Sequence, residues 1–177
     1  MTFVQSIRAC FRKYATFSGR APRSEYWWFA LFVFLVSALL SIVDAALFGS
    51  GTAEVDASPA QPITGLFQLA TLIPLLAAGW RRMHDTGHPG WYVLLPMLAA
   101  VGGLFFLLVG IGGFGLAERA GADRGVLAQL AAIFGGTGML VLVIAQIVLT
   151  FLLLWWLARP SKPAANRYGP PPHEVHP

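Results

Sequence analysis

The segment YWWFALFVFLVSALLSIVDAALF, residues 26–48, decides the fold of this chain. Its only charged side chain is Asp44, close to its end. A bilayer hydrocarbon core about 30 Å thick is crossed by about 20 apolar residues in a helix. Because lipid offers no hydrogen bonds, such a segment has to satisfy its backbone groups internally, as a helix does. Residues 26–48 therefore predict a membrane-spanning helix.

Three further apolar runs follow along the chain. They are ITGLFQLATLIPLLAAGW at 63–80, WYVLLPMLAAVGGLFFLLVGIGGFG at 91–115, and a run at 126–158 whose crossing is expected at 138–158. Hydrophobic residues make up 56% of the 177 residues, and the mean hydropathy of +0.66 is too high for an ordinary soluble domain. We therefore expect an all-α fold, a polytopic transmembrane helical bundle with four spanning helices at residues 26–158.

Two stretches outside these spans need separate treatment. Residues before GGTG, at 135–138, are expected to form a tilted or kinked extension of the fourth helix, since glycine weakens helices. Residues 116–137 are then either a loop with that extension or part of a further membrane segment. The last residues, 159–177, are rich in proline and predict an extended or disordered cytoplasmic tail.

The N-terminal segment, residues 1–25, is expected to carry an amphipathic surface helix. In TFVQSIRACFRKYA, residues 2–15, apolar side chains recur on one helical face, whereas Arg8, Arg12 and Lys13 lie mostly on the other. This pattern is typical of a helix lying on the inner leaflet. A frayed terminal tail is the alternative.

Basic residues and tryptophans indicate the same orientation. With four spans, ten of the twelve Lys and Arg residues fall on the side that holds both chain ends, as the positive-inside rule requires. All six tryptophans also flank spans on that side, where their amphipathic rings favour the membrane interface. We expect a multi-pass protein of the bacterial inner (plasma) membrane with both termini in the cytoplasm. Its basic residues flank apolar runs, so nucleic acid is not an expected partner.

Three polar blocks meet at the cytoplasmic face in this topology. They are FSGRAPRSEYWW at 17–28, RRMHDTGHPGW at 81–91 and NRYGPPP at 166–172. Together they resemble the blocks of the domain-of-unknown-function 805 (DUF805) family, the YhaH-type small bacterial inner membrane proteins. The resemblance covers roughly residues 10–100 and 150–172, and residues 103–140 look like an insertion relative to such proteins. It implies membrane location and fold, but no established activity.

The candidate site is the cytoplasmic polar cluster that these blocks would form. Its residues are Arg20, Arg23, Glu25, Arg81, Arg82, His84, Asp85, Asn166, Arg167 and Tyr168. Residues 81–91 alone are also explained as a tight turn, in which a helix ends between Trp80 and Met83 and Gly87 takes the left-handed conformation. The sharper hypothesis is an ion-pair lattice, with Glu25 or Asp85 held between Arg20, Arg82 and Arg167.

The remaining polar and ionisable residues allow fewer functional interpretations. Asp44 is either an interfacial residue or part of a polar pathway, because ionisable groups inside spans are costly. His84 and Asp85 are also open to interpretation as an acid–base couple or a weak metal site beside an arginine anion site, although with His88 they are too few and too irregularly spaced to indicate a metal site firmly. The single cysteine, Cys10, excludes an internal disulfide. GIGGFG at 110–115 follows no strand, so it does not predict a nucleotide loop. No cofactor or metal is expected.

Three function classes remain open on these grounds. The first is a non-enzymatic membrane protein whose cluster organises the helices and binds a protein partner or anionic lipid headgroups. The second is a small transporter or channel component, disfavoured because the spans hold almost no ionisable residues. The third is a membrane enzyme that uses His84 and Asp85, which lacks any recognised nucleophile. Beyond the lipid bilayer itself, self-association into a homo-oligomer also stays open.

Overall fold

The computed structural model describes residues 1–48, 60–119, 121, 125–126, 129 and 138–172, and this part of the chain is built from helices. They are α1 (Phe3–Arg12), α2 (Arg23–Phe48), α3 (Pro62–Asp85), a short 3-10 helix (Gly90–Leu94), α4 (Leu95–Arg119) and α5 (Gly138–Ala158). The helices α2, α3, α4 and α5 are long and apolar enough to cross a membrane. The predicted all-α fold with four spanning helices is therefore confirmed. The extension predicted before residue 138 lies largely outside the described residues.

The chain forms two compact units. One consists of Met1–Gly90 with Leu157–Pro177, and the other consists of Trp91–Trp156. In the second unit, Tyr92 packs against Trp156 with ring centroids 5.2 Å apart. The three polar blocks lie in the first unit, except for Trp91 at the end of the second block.

Helix α1 begins with a capping box and packs on α2. The Thr2 side chain accepts from the Gln5 backbone N–H, and the Gln5 side chain accepts from the Thr2 N–H. Its buried residues are small: Ser6, Ala9 and Cys10. Small side chains allow α1 to approach α2 closely, so α1 is docked on a spanning helix.

Asp44 provides the hydrogen-bond acceptor for the first backbone N–H groups of α3. Its carboxylate accepts hydrogen bonds from the backbone N–H groups of Ile63 at 3.2 Å and Thr64 at 2.8 Å. The N-cap residue Gln61 makes no side-chain cap. The first N–H groups of a helix have no intrahelical partner, and a negative charge there favours the helix dipole. Fully buried Asp44 therefore caps α3 from α2, a role that the sequence did not predict.

Pro74 breaks the hydrogen-bond ladder inside α3, and Tyr14 completes it. Proline has no N–H, so the carbonyl of Ala70 loses its i+4 donor. The Tyr14 hydroxyl donates to that carbonyl at 2.5 Å. The segment after α1 is thus fastened to the interior of a spanning helix.

Helix α3 ends at Asp85, two residues beyond the predicted end at Trp80–Met83. The extension is explained by a Schellman motif, in which His88 N–H donates to the carbonyl of Met83 and Gly87 N–H donates to that of His84. Gly87 has φ +84°, the left-handed conformation expected at this place. The two added residues, His84 and Asp85, are thereby held on helical backbone.

The contact between Tyr14 and Ala70 predicts that the effects of substitutions at Tyr14 and Pro74 on stability are coupled. We expect Tyr14→Phe to destabilise the protein by about 1 kcal/mol, because the carbonyl of Ala70 then lacks a donor. In a Pro74→Ala background, residue 74 regains its N–H and the same substitution is expected to cost less than half as much. Denaturant titration in mixed micelles measures both values. An equal cost in the two backgrounds would contradict the assignment.

Candidate functional site

Six charged or ionisable side chains gather at the end of α3 and are almost entirely buried. We call them the polar cluster: Arg20, Glu25, Arg81, Arg82, His84 and Asp85. Arg20 lies in the segment before α2, Glu25 in the first turn of α2, and the others in the last turns of α3. Residues distant in sequence are thus brought together in the first unit.

Asp85 is held between two arginines. Its Oδ1 atom accepts from Arg20 Nε at 2.9 Å and lies 2.8 Å from Arg20 Nη2, and its Oδ2 atom accepts from Arg82 Nη1. The side chain of Asp85 is fully buried. Both oxygens are therefore neutralised by charge-assisted hydrogen bonds, which are stronger than hydrogen bonds between neutral groups.

Arg20 also holds the C-terminal tail. Its Nη1 atom donates to the carbonyls of Ala164 at 2.9 Å and Gly169 at 3.4 Å, and its Nη2 atom donates to that of Lys162 at 2.5 Å. With the contacts to Asp85, each of its five N–H groups has an acceptor. One guanidinium thus joins the N-terminal segment, α3 and the tail.

Arg82 makes a second connection to the C-terminal part of the first unit. Its Nε atom donates to the carbonyl of Leu157 at 3.0 Å, and its Nη2 atom donates to that of Arg159. The carbonyl of Leu157 is one of the last four of α5, which have no intrahelical partner, and that of Arg159 follows just after the helix. Arg82 therefore caps the end of a helix while it neutralises Asp85.

Arg81 forms the other half of the cluster with Glu25. Arg81 Nη2 donates to Glu25 Oε1 at 2.8 Å, and Lys13 Nζ lies 3.8 Å from Glu25 Oε2. Arg81 Nη1 donates to the carbonyls of Lys13 and Thr16, just after α1. The buried Nε atom has no hydrogen-bond partner within the described residues. This pair ties the end of α1 to α2 and α3.

His84 is held by the first and third blocks. Its Nδ1 atom lies 3.1 Å from the carbonyl of Gly19 and donates to it, because a carbonyl only accepts. The ring stacks on Tyr168 with centroids 3.8 Å apart and planes within 4°. Asn166 Nδ2 donates to the backbone carbonyl of His84 at 2.9 Å. The imidazole is thus a packing and anchoring group, and it is not paired with Asp85.

The third block folds as a tight turn over His84. Asn166 and Gly169 exchange backbone hydrogen bonds of 3.1 and 2.9 Å, and Asn166 Oδ1 accepts from the N–H of Tyr168. Arg167 is exposed and its Cζ atom lies 4.7 Å from the centroid of the Tyr168 ring. The turn explains why asparagine and glycine stand three residues apart.

The predicted arginines and carboxylates form two ion-pair groups, with three residues outside them. Arg20, Arg82 and Asp85 form one ion-pair group, in which Arg167 takes no part. Glu25 pairs with Arg81, which was not among the arginines of the hypothesised lattice. Arg23 is exposed on the first turn of α2, and Asp44 lies near the other end of that helix.

His88, in the turn after α3, lies outside the polar cluster. Among the described residues, no three His, Cys, Asp or Glu side chains are grouped to hold a metal ion. His88 Nδ1 lies 3.0 Å from the hydroxyl of Thr86. Burial and the positive charges of Arg159 and Lys162 lower the pKa of the His88 imidazole below its usual 6.5, which favours the neutral ring.

Sequence reasoning missed the partners that are backbone carbonyls, and it missed Cys10. The Cys10 thiol is fully buried and its sulfur lies 3.9 Å from the carbonyl oxygen of Glu25. Burial, with a smaller contribution from the charge of Glu25, raises the pKa of this thiol to about 12. The small-residue spacing Ser6, Ala9, Cys10 was the one signal that could have predicted this close packing.

The chain is similar to inner membrane proteins of Escherichia coli. Residues 14–120, more than half of the chain, match the family model described as "Protein of unknown function (DUF805)". Inner membrane protein YhaI of Escherichia coli K12 is 34% identical over 97 residues, which are 55% of this chain and 75% of YhaI. Inner membrane protein YhaH of that strain is 30% identical over 97 residues, 55% of this chain and 76% of YhaH. No solved structure matches the chain.

The ion-pair group predicts a large effect of an isosteric substitution. Asp85→Asn removes one charge and leaves Arg20 and Arg82 buried without it, so we expect a loss of about 3–5 kcal/mol in unfolding free energy. Arg167→Gln, at an exposed arginine of the third block, is expected to change stability by at most about 0.5 kcal/mol. Denaturant titration of the two purified variants measures the difference. Similar small losses would show that the buried charges contribute little.

The environment of Cys10 predicts slow alkylation. At pH 8, the raised pKa reduces its thiolate population roughly a thousandfold relative to an ordinary thiol. We expect modification by iodoacetamide in mild detergent to be at least about a hundredfold slower than in sodium dodecyl sulfate, where α1 is released. A Cys10→Ser/Ser18→Cys protein, with its thiol at an exposed position, provides the control. Equal rates for the two folded proteins would exclude the docked position of α1.

Proposed function

Since this chain belongs to the DUF805 family, as its three blocks predicted, and its named relatives are inner membrane proteins, we propose that it acts as a non-enzymatic organising and binding protein of that membrane. In this proposal the polar cluster faces the cytoplasm and fixes the arrangement of the helices and chain ends around it. The exposed basic residues around the cluster then bind anionic lipid headgroups or an acidic protein partner.

The observation that carries the proposal is that every N–H group of Arg20 already has an acceptor within the chain. Its guanidinium uses every N–H group on Asp85 and on three carbonyls of the tail, so it has none left for a substrate. Asp85 is equally committed to Arg20 and Arg82. Groups that are buried and fully paired within the chain are suited to holding segments together, and removing one partner is costly.

The charge balance of the first unit supports a binding role for its exposed residues. Its ten basic side chains are Arg8, Arg12, Lys13, Arg20, Arg23, Arg81, Arg82, Arg159, Lys162 and Arg167. At this end of α2 and α3, the described acidic side chains are Glu25 and Asp85, both already paired with arginine. The excess positive charge favours an anionic surface opposite it.

The two alternative classes have less support from the geometry. An enzyme would need His84 and Asp85 as a couple, whereas His84 contacts Gly19 and Tyr168. A transport pathway would need Asp44 to meet water, whereas both of its carboxylate oxygens cap α3. These contacts support the organising role over either chemistry.

A labelling experiment tests the orientation and the binding role together. In a Cys10→Ser background, single cysteines replace exposed Arg23, Arg167 or, at the end of α4, Arg119. We expect a membrane-impermeant benzophenone maleimide to label residues 23 and 167 in inverted vesicles, and residue 119 only from the opposite side. Illumination is then expected to capture a discrete lipid or protein at 23 or 167.

The same experiment contains the results that would contradict the proposal. Labelling of residues 23 and 167 from the periplasmic side would place the cluster on the wrong face. If the adducts captured at residues 23 and 167 were identical to those at residue 119, the result would contradict the binding role. A pattern that is unchanged by Asp85→Asn would show that the buried charges do not organise the binding surface.

A further inference from the structure

We propose that the outer face of α1, formed by Val4, Arg8, Phe11 and Arg12, binds the headgroups of anionic phospholipids while its apolar edge lies among their acyl chains. This inference deepens the proposed function and rests on it for the leaflet concerned. It assigns the binding role to one helix and one chemical class of ligand.

The docking contacts fix the height of α1 in the membrane. The N-terminal ammonium donates to Ser24 Oγ at 3.3 Å, and the Ser6 hydroxyl lies 3.3 Å from the carbonyl of Ser24, in the first turn of α2. The Phe3 ring meets Trp28 edge-on at 5.8 Å. Helix α1 therefore lies across the beginning of a spanning helix, at the level where tryptophans occupy the membrane interface.

Tyr14, in the turn just after α1, reaches toward the interior of the membrane. Its hydroxyl reaches the carbonyl of Ala70, more than two helical turns inside α3 from Arg81. Positions 3, 7 and 11 of α1 lie on one side of the helix at spacings of four, and Phe11 stands at the boundary between this side and the outer face. The phenylalanines of this side, Phe3 and Phe11, contact aromatic rings of α2. This side of α1 thus points along the spanning helices into the apolar layer.

The outer face has both parts of an interfacial binding surface. Val4 and Phe11, seven residues apart on one edge, are 61% and 42% exposed. Arg8 and Arg12 lie one turn apart on the strip of helix surface next to this edge. Both side chains are exposed, and α1 contains no acidic residue beside them. The apolar edge continues to exposed Trp28 on α2. Amphipathic helices with this division bind to bilayers by burying the apolar edge and attracting anionic headgroups.

A lipid leaflet suits this surface better than an acidic soluble protein does. The bilayer places acyl chains beside Val4 and Phe11 and phosphates beside Arg8 and Arg12 at the same time. Helix α1 is already held next to α2 and α3 by its own contacts, so no further ordering of the chain is needed. Basic residues near a surface increase the local concentration of anionic lipids. The outer face is therefore expected to select anionic over zwitterionic headgroups.

Quenching by brominated lipids tests this selection directly. A Val4→Cys/Cys10→Ser protein carries an environment-sensitive fluorophore on residue 4 and is reconstituted in vesicles of equal amounts of phosphatidylcholine and phosphatidylglycerol. Two preparations differ only in which lipid carries bromine. The bulk composition and surface potential are then the same, so a difference in quenching reports which lipid lies beside α1.

We expect brominated phosphatidylglycerol to quench about twofold more than brominated phosphatidylcholine. The double substitution Arg8→Gln/Arg12→Gln is expected to make the two values equal, whereas Arg119→Gln, at an exposed arginine at the end of α4, leaves the difference unchanged. Equal quenching in the protein that keeps all its arginines would overturn the inference. So would a preference that survives loss of both α1 arginines, or an absence of quenching by either lipid.

The result of the quenching experiment can be distinguished from the result of the labelling experiment that tests the proposed function. The orientation of residues 23 and 167 and their captured partners are measured on other side chains, with α1 unchanged except at Cys10. A cluster that faces the cytoplasm with no lipid preference at residue 4 would reject this inference alone. A cluster that faces the periplasm would reject the proposed function, while the quenching ratio still reports on α1.

Discussion

A carboxylate removed from water has to be neutralised where it lies, and Asp85 imposes this constraint on the rest of the first unit. Its two oxygens require two cations, which come from Arg82 one turn earlier and from Arg20 in a distant segment. Arg20 and Arg82, once buried, require acceptors for their other N–H groups, and they take carbonyls from the C-terminal part of the chain. The positions of the segment before α2 and of the described part of the tail thus follow from one buried charge, because an unpaired ion there would cost several kcal/mol.

The same requirement for partners explains the contacts along the helices. Where α3 begins, Asp44 supplies the acceptor, and where Pro74 interrupts it, Tyr14 supplies the donor. At its end, the Schellman motif at Gly87 uses carbonyls that a helix leaves free. Lipid satisfies none of these groups, so each break in a spanning helix has to be completed by the chain itself.

The sequence predicted the helices more completely than the contacts between them. Hydrophobic run length indicated all four spans, and glycine chemistry indicated the turn at Gly87, since both depend on local residue types. Pairing of Asp85 with Arg20 agrees with the hypothesised lattice, whereas Arg167 lies outside it and Arg81 holds Glu25 instead. Several partners of the arginines are backbone carbonyls, which every residue carries. Their selection depends on tertiary geometry and leaves no pattern in the side chains.

Hydrogen exchange of the arginine Nε–H groups, followed by nitrogen-15 NMR on the reconstituted protein, tests whether Asp85 is buried between two fully paired arginines. In Arg20 and Arg82 this proton is buried and bonded to Asp85 and to the carbonyl of Leu157, respectively. The Nε–H signals of Arg20 and Arg82 are therefore predicted to exchange far more slowly than those of exposed Arg8 and Arg12. Exchange of all arginine signals at the rate of a solvated guanidinium would contradict the buried ion-pair group and the account built on it.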